Sequence, residues 1–203
     1  MRSSYIDNNY KDIFNSLIKI TQPDVCVELG VLDGFSTVAI GESLKTMGSG
    51  HLFSYDLFED YDYKSQNYTK VLKTINDEKL GEWITLRKKN VFDATYDFKL
   101  NTIGFLHVDI SNDGQKISKI IEKWNDKIID GGVLIFEGGS PLRDNISWMK
   151  KYKKDEIYTE IRKNTILQKD YTYTIIHQYP SIVICTKNVY YEVSNMSKFG
   201  YAT

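Results

Sequence analysis

The sequence has few cysteines, few prolines, no excess of one charge and no long apolar run. It holds 2 cysteines and 3 prolines in 203 residues, which excludes a disulfide scaffold and a collagen-like chain. Lys and Arg total 26 against 27 Asp and Glu, so a dedicated nucleic-acid binder is not expected. No apolar run reaches the roughly 18 residues of a membrane span, and residues 1–7 lack a secretory core, so we expect a cytoplasmic protein without a membrane partner.

The composition that remains is that of an ordinary globular chain. Hydrophobic residues make up 41% and charged residues 26%, and the length suits one domain spanning residues 1–203. Both cysteines, Cys26 and Cys185, lie in strongly apolar stretches, which favours buried, reduced thiols. With a net charge of −1, the expected partners are small molecules.

Apolar segments of strand length alternate with segments of helical periodicity over most of the chain. The predicted strands are residues 24–29, 51–56, 83–87, 103–109 and 133–137, the last one entered through a turn at 131–132. Helical stripes precede the first strand and lie between later ones, as in Ile117, Ile120, Ile121 and Trp124. This alternation predicts a doubly wound, Rossmann-like α/β fold with a mostly parallel sheet.

The C-terminal part breaks the alternation. Two strand-like segments, 171–177 and 181–186, are separated by three residues, which is too short for a crossover helix. We therefore expect an antiparallel hairpin that completes a seven-stranded sheet.

Polar residues at the carboxyl ends of the strands are the candidates for a site, because ligands of open parallel sheets bind there. The residues at these positions are Glu28 with Gly30 and Gly34, Asp56, Asn90, Asp109 and Glu137.

The segment 28–37, ELGVLDGFST, combines a strand end, a glycine turn and a helix start. Gly30 and Gly34 allow a ligand to approach the backbone closely, and Ser36 is the expected cap of a helix whose free N–H groups suit a carboxylate. The spacing is not G-x-G-x-x-G, which disfavours a nicotinamide dinucleotide.

This segment resembles the first motif of class I S-adenosylmethionine-dependent methyltransferases, in particular the small-molecule and sugar O-methyltransferases. Residues 106–140, with an acid after the fourth strand and a glycine pair before the fifth, resemble the same family. The resemblance implies that three residues of the turn shape the cofactor pocket, namely Glu28, Gly30 and Gly34. It also implies that Ser36 holds the methionine carboxylate and that Asp56 accepts hydrogen bonds from the ribose. Asn90 would reach the adenine, or else be a turn residue.

Asp109 and Glu137 are expected at neighbouring strand ends beside the transferable methyl. In several relatives, carboxylates at these positions hold a divalent ion, so the pair is a candidate Mg²⁺ site. The chain departs from the family by having Gly138 where relatives often carry a second acid, which leaves only two carboxylate ligands.

The base is a second departure. Relatives commonly place a histidine shortly after the fourth strand, where this chain has Asn112, and an amide cannot take up a proton at neutral pH. The candidate bases are Asp109, His107 and His177, although His107 is also typical of a core histidine and His177 of a surface one.

The sequence thus predicts an S-adenosylmethionine-dependent methyltransferase that acts on an oxygen, or less readily a nitrogen, of a small molecule. Residues 57–67, the segment after Glu137 and the hairpin would select the acceptor. Two alternatives stay open, a catalytically degenerate cofactor-binding protein and a nicotinamide-dependent α/β oxidoreductase.

Overall fold

The structure, a computed structural model, describes Ser3, Tyr5, Asn8 and residues 10–62 and 67–190. The strands are β1 (Val25–Leu29), β2 (His51–Asp56), β3 (Ile84–Lys88), β4 (Ile103–Val108), β5 (Ile128–Glu137), β6 (Tyr171–Ile176) and β7 (Ile182–Lys187). The helices are α1 (Lys11–Thr21), α2 (Phe35–Met47), α3 (Tyr68–Asp77), α4 (Gly114–Trp124), α5 (Pro141–Asp144), α6 (Ser147–Lys151), α7 (Ile157–Lys163) and α8 (Thr165–Asp170).

The seven strands form one sheet in the order β3-β2-β1-β4-β5-β7-β6. Strands β1 to β5 pair in parallel, whereas β7 pairs antiparallel with both β5 and β6. The predicted Rossmann-like sheet with its terminal antiparallel hairpin is therefore confirmed. The strand order reverses between β1 and β4, which is the point where open α/β sheets place their ligands.

The turn predicted at residues 131–132 is wrong, because these glycines lie inside β5. Strand β5 starts at Ile128, and its register with β4 shifts between Ile103 and Phe105, which marks a bulge. Gly131 has a φ of +76°, and a Cβ on Gly132 would lie 2.7 Å from the Ile128 side chain. The glycines thus let the strand bulge and continue instead of reversing it.

Two apolar clusters cover the two faces of the sheet. One contains residues of α1, α2 and α3, with Phe14 and Ile18 of α1 fully buried. The other contains α4 and α7, centred on Trp124. Both cysteines are buried and free, as predicted. Among the described ranges, no helix combines the length and the apolar character needed to cross a membrane.

Candidate functional site

The carboxyl edge is the edge of the sheet at which the parallel strands β1, β2, β4 and β5 end. Because β1 lies between β2 and β4, and β4 lies next to β5, the residues that follow these strands are neighbours. The edge therefore brings together most of the predicted site residues, namely Glu28, Gly30, Gly34, Asp56, Asp109 and Glu137.

Gly30 fills the gap between the ends of β2 and β4. Its N–H donates to the Tyr55 carbonyl over 2.8 Å, and the N–H of Asp109 donates to the Leu29 carbonyl over 2.8 Å. A Cβ at Gly30 would lie 2.1 Å from the backbone oxygen of Asp109, and the φ of +92° belongs to the left-handed region. The glycine is therefore required by the packing of the protein itself.

We expect Gly30→Ala to destabilise the fold by about 3 kcal/mol, since a backbone clash adds to the strain of positive φ. Gly34→Ala is the matched control, because its φ is +86° but its Cβ would meet no backbone atom and would have the Val71 side chain, at 3.3 Å, as its nearest neighbour. That change should cost about 1–2 kcal/mol, from backbone strain alone. Urea unfolding of both variants measures the difference, and equal losses would contradict the packing argument.

Asp56 ties the glycine turn to the end of β2. Its Oδ2 accepts the N–H groups of Val31 and Leu32, over 2.7 and 3.2 Å, and its Oδ1 accepts that of Phe58 over 2.7 Å. A carboxylate has about four lone-pair directions, so three of them are used within the protein. One direction on Oδ1 remains for a hydroxyl from a ligand.

Glu28 lies beneath the turn and is fully buried. It accepts hydrogen bonds from Ser36 and Thr37, both over 2.5 Å, and from Ser54 over 2.8 Å. The expected capping role of Ser36 is wrong, because Gly34 occupies the N-cap position of α2 in a left-handed conformation and Ser36 lies inside the helix. The Ser36 hydroxyl contributes to a buried polar network centred on Glu28.

His107 is a core histidine. It is fully buried, packs edge-on against Phe14 with 4.9 Å between ring centroids, and has its Nδ1 3.4 Å from Glu28 Oε1. The hydroxyl of Tyr5 lies 3.2 Å from His107 Nε2 and covers the ring on the other side. His107 is therefore enclosed between Glu28 and Tyr5, and it does not face an acceptor.

Asp109 follows β4 at the centre of the carboxyl edge and is half-buried. Burial raises the pKa of its carboxyl group, while His107, Arg143 and a hydrogen bond from Tyr5 act in the opposite direction. A raised carboxyl pKa is typical of a group that exchanges protons during a reaction. Of the candidate bases, Asp109 is the one that stands at the edge with such a pKa.

Glu137 ends β5 and is bound by Arg143. The guanidinium donates from Nε to Oε1 over 2.5 Å and from Nη2 to Oε2 over 3.0 Å, and both side chains are buried. Burial raises the pKa of Glu137 to about 7, with a further contribution from the nearby Asp109, although Arg143 opposes the shift.

The residues present do not fit a magnesium site. Both oxygens of Glu137 are engaged by Arg143, and the side-chain oxygen of the nearby Asn112 accepts the N–H of Ile110 over 3.0 Å. Of the acidic pair, this leaves only the Asp109 carboxylate, which itself accepts a hydrogen bond from Tyr5, whereas Mg²⁺ needs several oxygen ligands in near-octahedral geometry. Within the part of the chain that the structure describes, no cluster of three or more metal-binding side chains occurs.

Asn112 replaces the expected histidine with a structural function. Its amide donates to the backbone oxygens of Val108 and Glu137, over 3.0 and 2.8 Å, and so ties the ends of β4 and β5 together. The departure from the family pattern thus fixes the positions of the two acidic strand ends.

The remaining predicted residues lie further from this cluster. Asn90 is exposed and its side-chain oxygen accepts the N–H of Phe92 over 2.9 Å, which is the geometry of a turn residue. His177 is exposed in the turn after β6. Of the predicted acceptor-selecting segment 57–67, residues 63–66 lie outside the described residues, and Tyr61 bonds to Ser111 over 3.1 Å.

Two residues of the site were not predicted. One is Tyr5, which precedes the first helix, as does Tyr10, whose hydroxyl donates to the Gln178 carbonyl over 3.0 Å. The other is Arg143, which comes from the short helix α5, six positions after Glu137. A sequence signal exists for the second, because Ser140-Pro141 is typical of a helix start that would return a following basic residue to Glu137.

Comparison with known proteins shows the same fold in methyltransferases. No curated protein matches the sequence. Among solved structures of similar fold are an O-methyltransferase from Bacillus cereus in complex with SAH (14% identity, 92% of this chain and 84% of that chain, TM-score 0.69) and the O-methyltransferase TomG from Streptomyces achromogenes in complex with SAM (12%, 89% and 80%, 0.69). The SAH-bound methyltransferase PaMTH1 from Podospora anserina is another (8%, 93% and 80%, 0.70).

The sequence itself carries the assignment to a family. A family model described as a methyltransferase domain matches residues 27–137, which run from β1 to the end of β5 and include the glycine turn, Asp56, Asp109 and Glu137. Since the match covers more than half of the sequence, the chain belongs to this family of methyltransferase domains.

Proposed function

We propose that the protein transfers a methyl group from S-adenosylmethionine to an oxygen of a small molecule at the carboxyl edge. The observation that carries the proposal is the junction of Asp56 with the glycine turn, one strand away from the partly exposed Asp109. A cofactor subsite and a proton acceptor thus lie side by side. Similar folds in complex with SAH or SAM support the cofactor, and O-methyltransferases among them support oxygen as the acceptor atom.

Three features of the chain fit the cofactor. The first turn of α2 presents N–H groups without partners within the helix, which suit the methionine carboxylate. The remaining lone-pair direction of Asp56 Oδ1 suits one ribose hydroxyl, and a second bond would require the weaker contact to Leu32 to give way. Glu28 and Ser36 support the turn from below rather than contact the ligand.

S-adenosylmethionine supplies an electrophilic methyl group on a sulfonium centre. In this proposal, Asp109 accepts the proton of the acceptor hydroxyl as the oxygen forms its bond to the methyl carbon and the carbon–sulfur bond breaks. The electron pair of that bond would stay with the departing sulfur, so the transfer would need no acid, only the proton acceptor Asp109. No metal ion enters this scheme, because Glu137 is already neutralised by Arg143.

The acceptor is proposed to be a neutral or weakly acidic small molecule, since the chain has no basic surplus that would attract a polyanion. Among the groups next to the site are the hairpin turn at 177–181 and the side chain of Tyr5. The buried free thiols suit the reducing cytoplasm, which we propose as the compartment. The family assignment favours a methyltransferase over a nicotinamide oxidoreductase.

Asp56→Ala tests the cofactor subsite. We expect S-adenosylhomocysteine to bind about 10- to 150-fold more weakly to this variant, because about 1.5–3 kcal/mol of charge-assisted hydrogen bonding is lost. Isothermal titration calorimetry measures the effect, and an unchanged affinity would overturn the assignment.

A ribose contact must be separated from the support that Asp56 gives to the turn. The control is the 2′,3′-dideoxy analogue of S-adenosylhomocysteine, measured on the wild type and on Asp56→Ala. If Asp56 binds the ribose, the affinities of the wild type and of Asp56→Ala should differ much less for the analogue than for S-adenosylhomocysteine itself. An equal loss for both ligands would mean that Asp56 acts only by shaping residues 30–34.

A further inference from the structure

Arg143 places a fixed positive charge at the acceptor side of the carboxyl edge. Its guanidinium donates hydrogen bonds to Glu137 from Nε and Nη2. The side chain of Arg143 is only 7% exposed and that of Glu137 only 6%. Such a planar two-point contact is the most specific arrangement available to an ion pair. The cation is therefore held in one position rather than supplied by a mobile surface residue.

The backbone after β5 is built to return this side chain to the strand end. Gly138 and Gly139, directly after Glu137, adopt φ values of +107° and +90°, a backbone region that favours glycine. Ser140 then caps α5 by accepting the N–H of Arg143 over 3.2 Å, and Pro141 occupies the first turn. The position of Arg143 thus depends on two residues of positive φ and on the helix start at Ser140-Pro141.

The charge balance explains why a cation is needed there. Asp109 lies close enough to Glu137 to raise the pKa of the Glu137 carboxyl group. Two carboxylates in a partly dry site repel each other. A divalent ion is the usual remedy, but it needs free carboxylate oxygens, and Arg143 occupies those of Glu137.

Arg143 also retains an unused donor. Within the described part of the chain, its Nη1 is buried and has no hydrogen-bond partner. Buried donors are almost always satisfied in folded proteins, so the partners of Arg143 among the described residues do not use its full hydrogen-bonding capacity.

We propose that the guanidinium of Arg143 takes the place of a divalent cation at the carboxyl edge, so that the acceptor site works with a built-in positive charge and without a metal ion. Arg143 is then a positioning residue, which acts through Glu137 and Asp109. The inference rests on the proposed function only in that the edge receives the methyl acceptor.

Binding of Mn²⁺ to the full-length protein tests the proposal without any acceptor. The probe is Mn²⁺ alone, followed by electron paramagnetic resonance of the free ion and by thermal unfolding. The wild type and Arg143→Lys, which keeps the charge, should show no Mn²⁺ site that depends on Glu137. In Arg143→Met, which keeps the aliphatic length but not the charge, Glu137 is released and should bind Mn²⁺ together with Asp109, with a Kd of about 10⁻⁴–10⁻³ M.

Thermal unfolding provides the second readout. Mn²⁺ at ten times its Kd should raise the Tm of Arg143→Met by about 3 °C or more, because an ion that binds only the folded state stabilises it. The wild type should not respond, and adding Asp109→Asn to Arg143→Met should abolish the response. A general effect of Mn²⁺ on surface carboxylates would be equal in all these proteins.

Either of two results would overturn the proposal. One is that the wild type binds Mn²⁺ and that Glu137→Gln abolishes this binding. This result can be obtained even if no Arg143 variant folds. The other is a folded Arg143→Met protein without any Mn²⁺ site. The affinity for S-adenosylhomocysteine, measured on the same samples, separates this proposal from the proposed function. A wild type that does not bind S-adenosylhomocysteine would contradict the proposed function but would leave the Mn²⁺ results valid.

Discussion

Asp109→Asn is expected to lower turnover by about 10²–10⁴-fold, the usual contribution of a positioned general base. The amide has nearly the same shape but cannot accept a proton, so the acceptor oxygen would have to lose its proton to water. Affinity for S-adenosylhomocysteine should stay within about threefold, because the carboxylate acts on the acceptor. The measurement is release of S-adenosylhomocysteine in the presence of a panel of small hydroxyl compounds, alongside calorimetry with the same ligand.

The pH dependence provides an independent check of this role. Asp109 must be ionised to accept a proton, and burial raises the pKa of its carboxyl group. The wild-type rate should therefore rise with pH above the ordinary carboxyl range and level off once Asp109 is ionised, whereas the residual rate of Asp109→Asn should lack this step. If the variant keeps full turnover on a true acceptor, positioning alone accounts for catalysis.

The fold could be predicted from the sequence because its signals are local. Strand β2 coincides with the predicted segment, and the short link between residues 177 and 181 by itself required an antiparallel hairpin. The turn predicted at residues 131–132 was wrong, since a pair of glycines is compatible with either a turn or a bulge. Only the pairing of β5 with β4, a tertiary fact, decides between them.

The site was predictable in part for the same reason. Strand order places Asp56 and Asp109 at one edge, and the resemblance to the methyltransferase family implied that order. The partners of these residues come from distant segments, as in the contact of Tyr5 with His107 across 102 positions. Burial of His107 depends on such a contact, whereas Arg143 reaches Glu137 from only six positions away, through the short helix α5. The sequence therefore left His107 open as one candidate base and Asp109 with Glu137 as a candidate metal pair, where the structure has a core histidine and an ion pair.

Glu28→Ala should be the most destabilising single change at the site. Glu28 lies on β1 and joins this strand to three other elements. Its oxygens accept hydrogen bonds from hydroxyl groups of α2 and β2, and they lie next to His107 of β4. Its removal would leave three hydroxyl groups and a histidine without their shared partner in a region closed to water. Breaking a buried polar network of this kind costs about 3–5 kcal/mol, which corresponds to a fall in Tm on the order of 10 °C for a chain of this size.

Two control variants separate this structural role from ligand contact. Glu28→Gln keeps one acceptor oxygen, and its NH₂ group can donate to hydroxyls that rotate to accept, so it should lose far less stability and retain affinity for S-adenosylhomocysteine. Glu122→Ala removes an exposed carboxylate of α4 and should change the free energy of unfolding by less than about 0.5 kcal/mol. A stable Glu28→Ala protein that fails to bind S-adenosylhomocysteine would show instead that Glu28 contacts the cofactor directly, because the network would then be dispensable for folding.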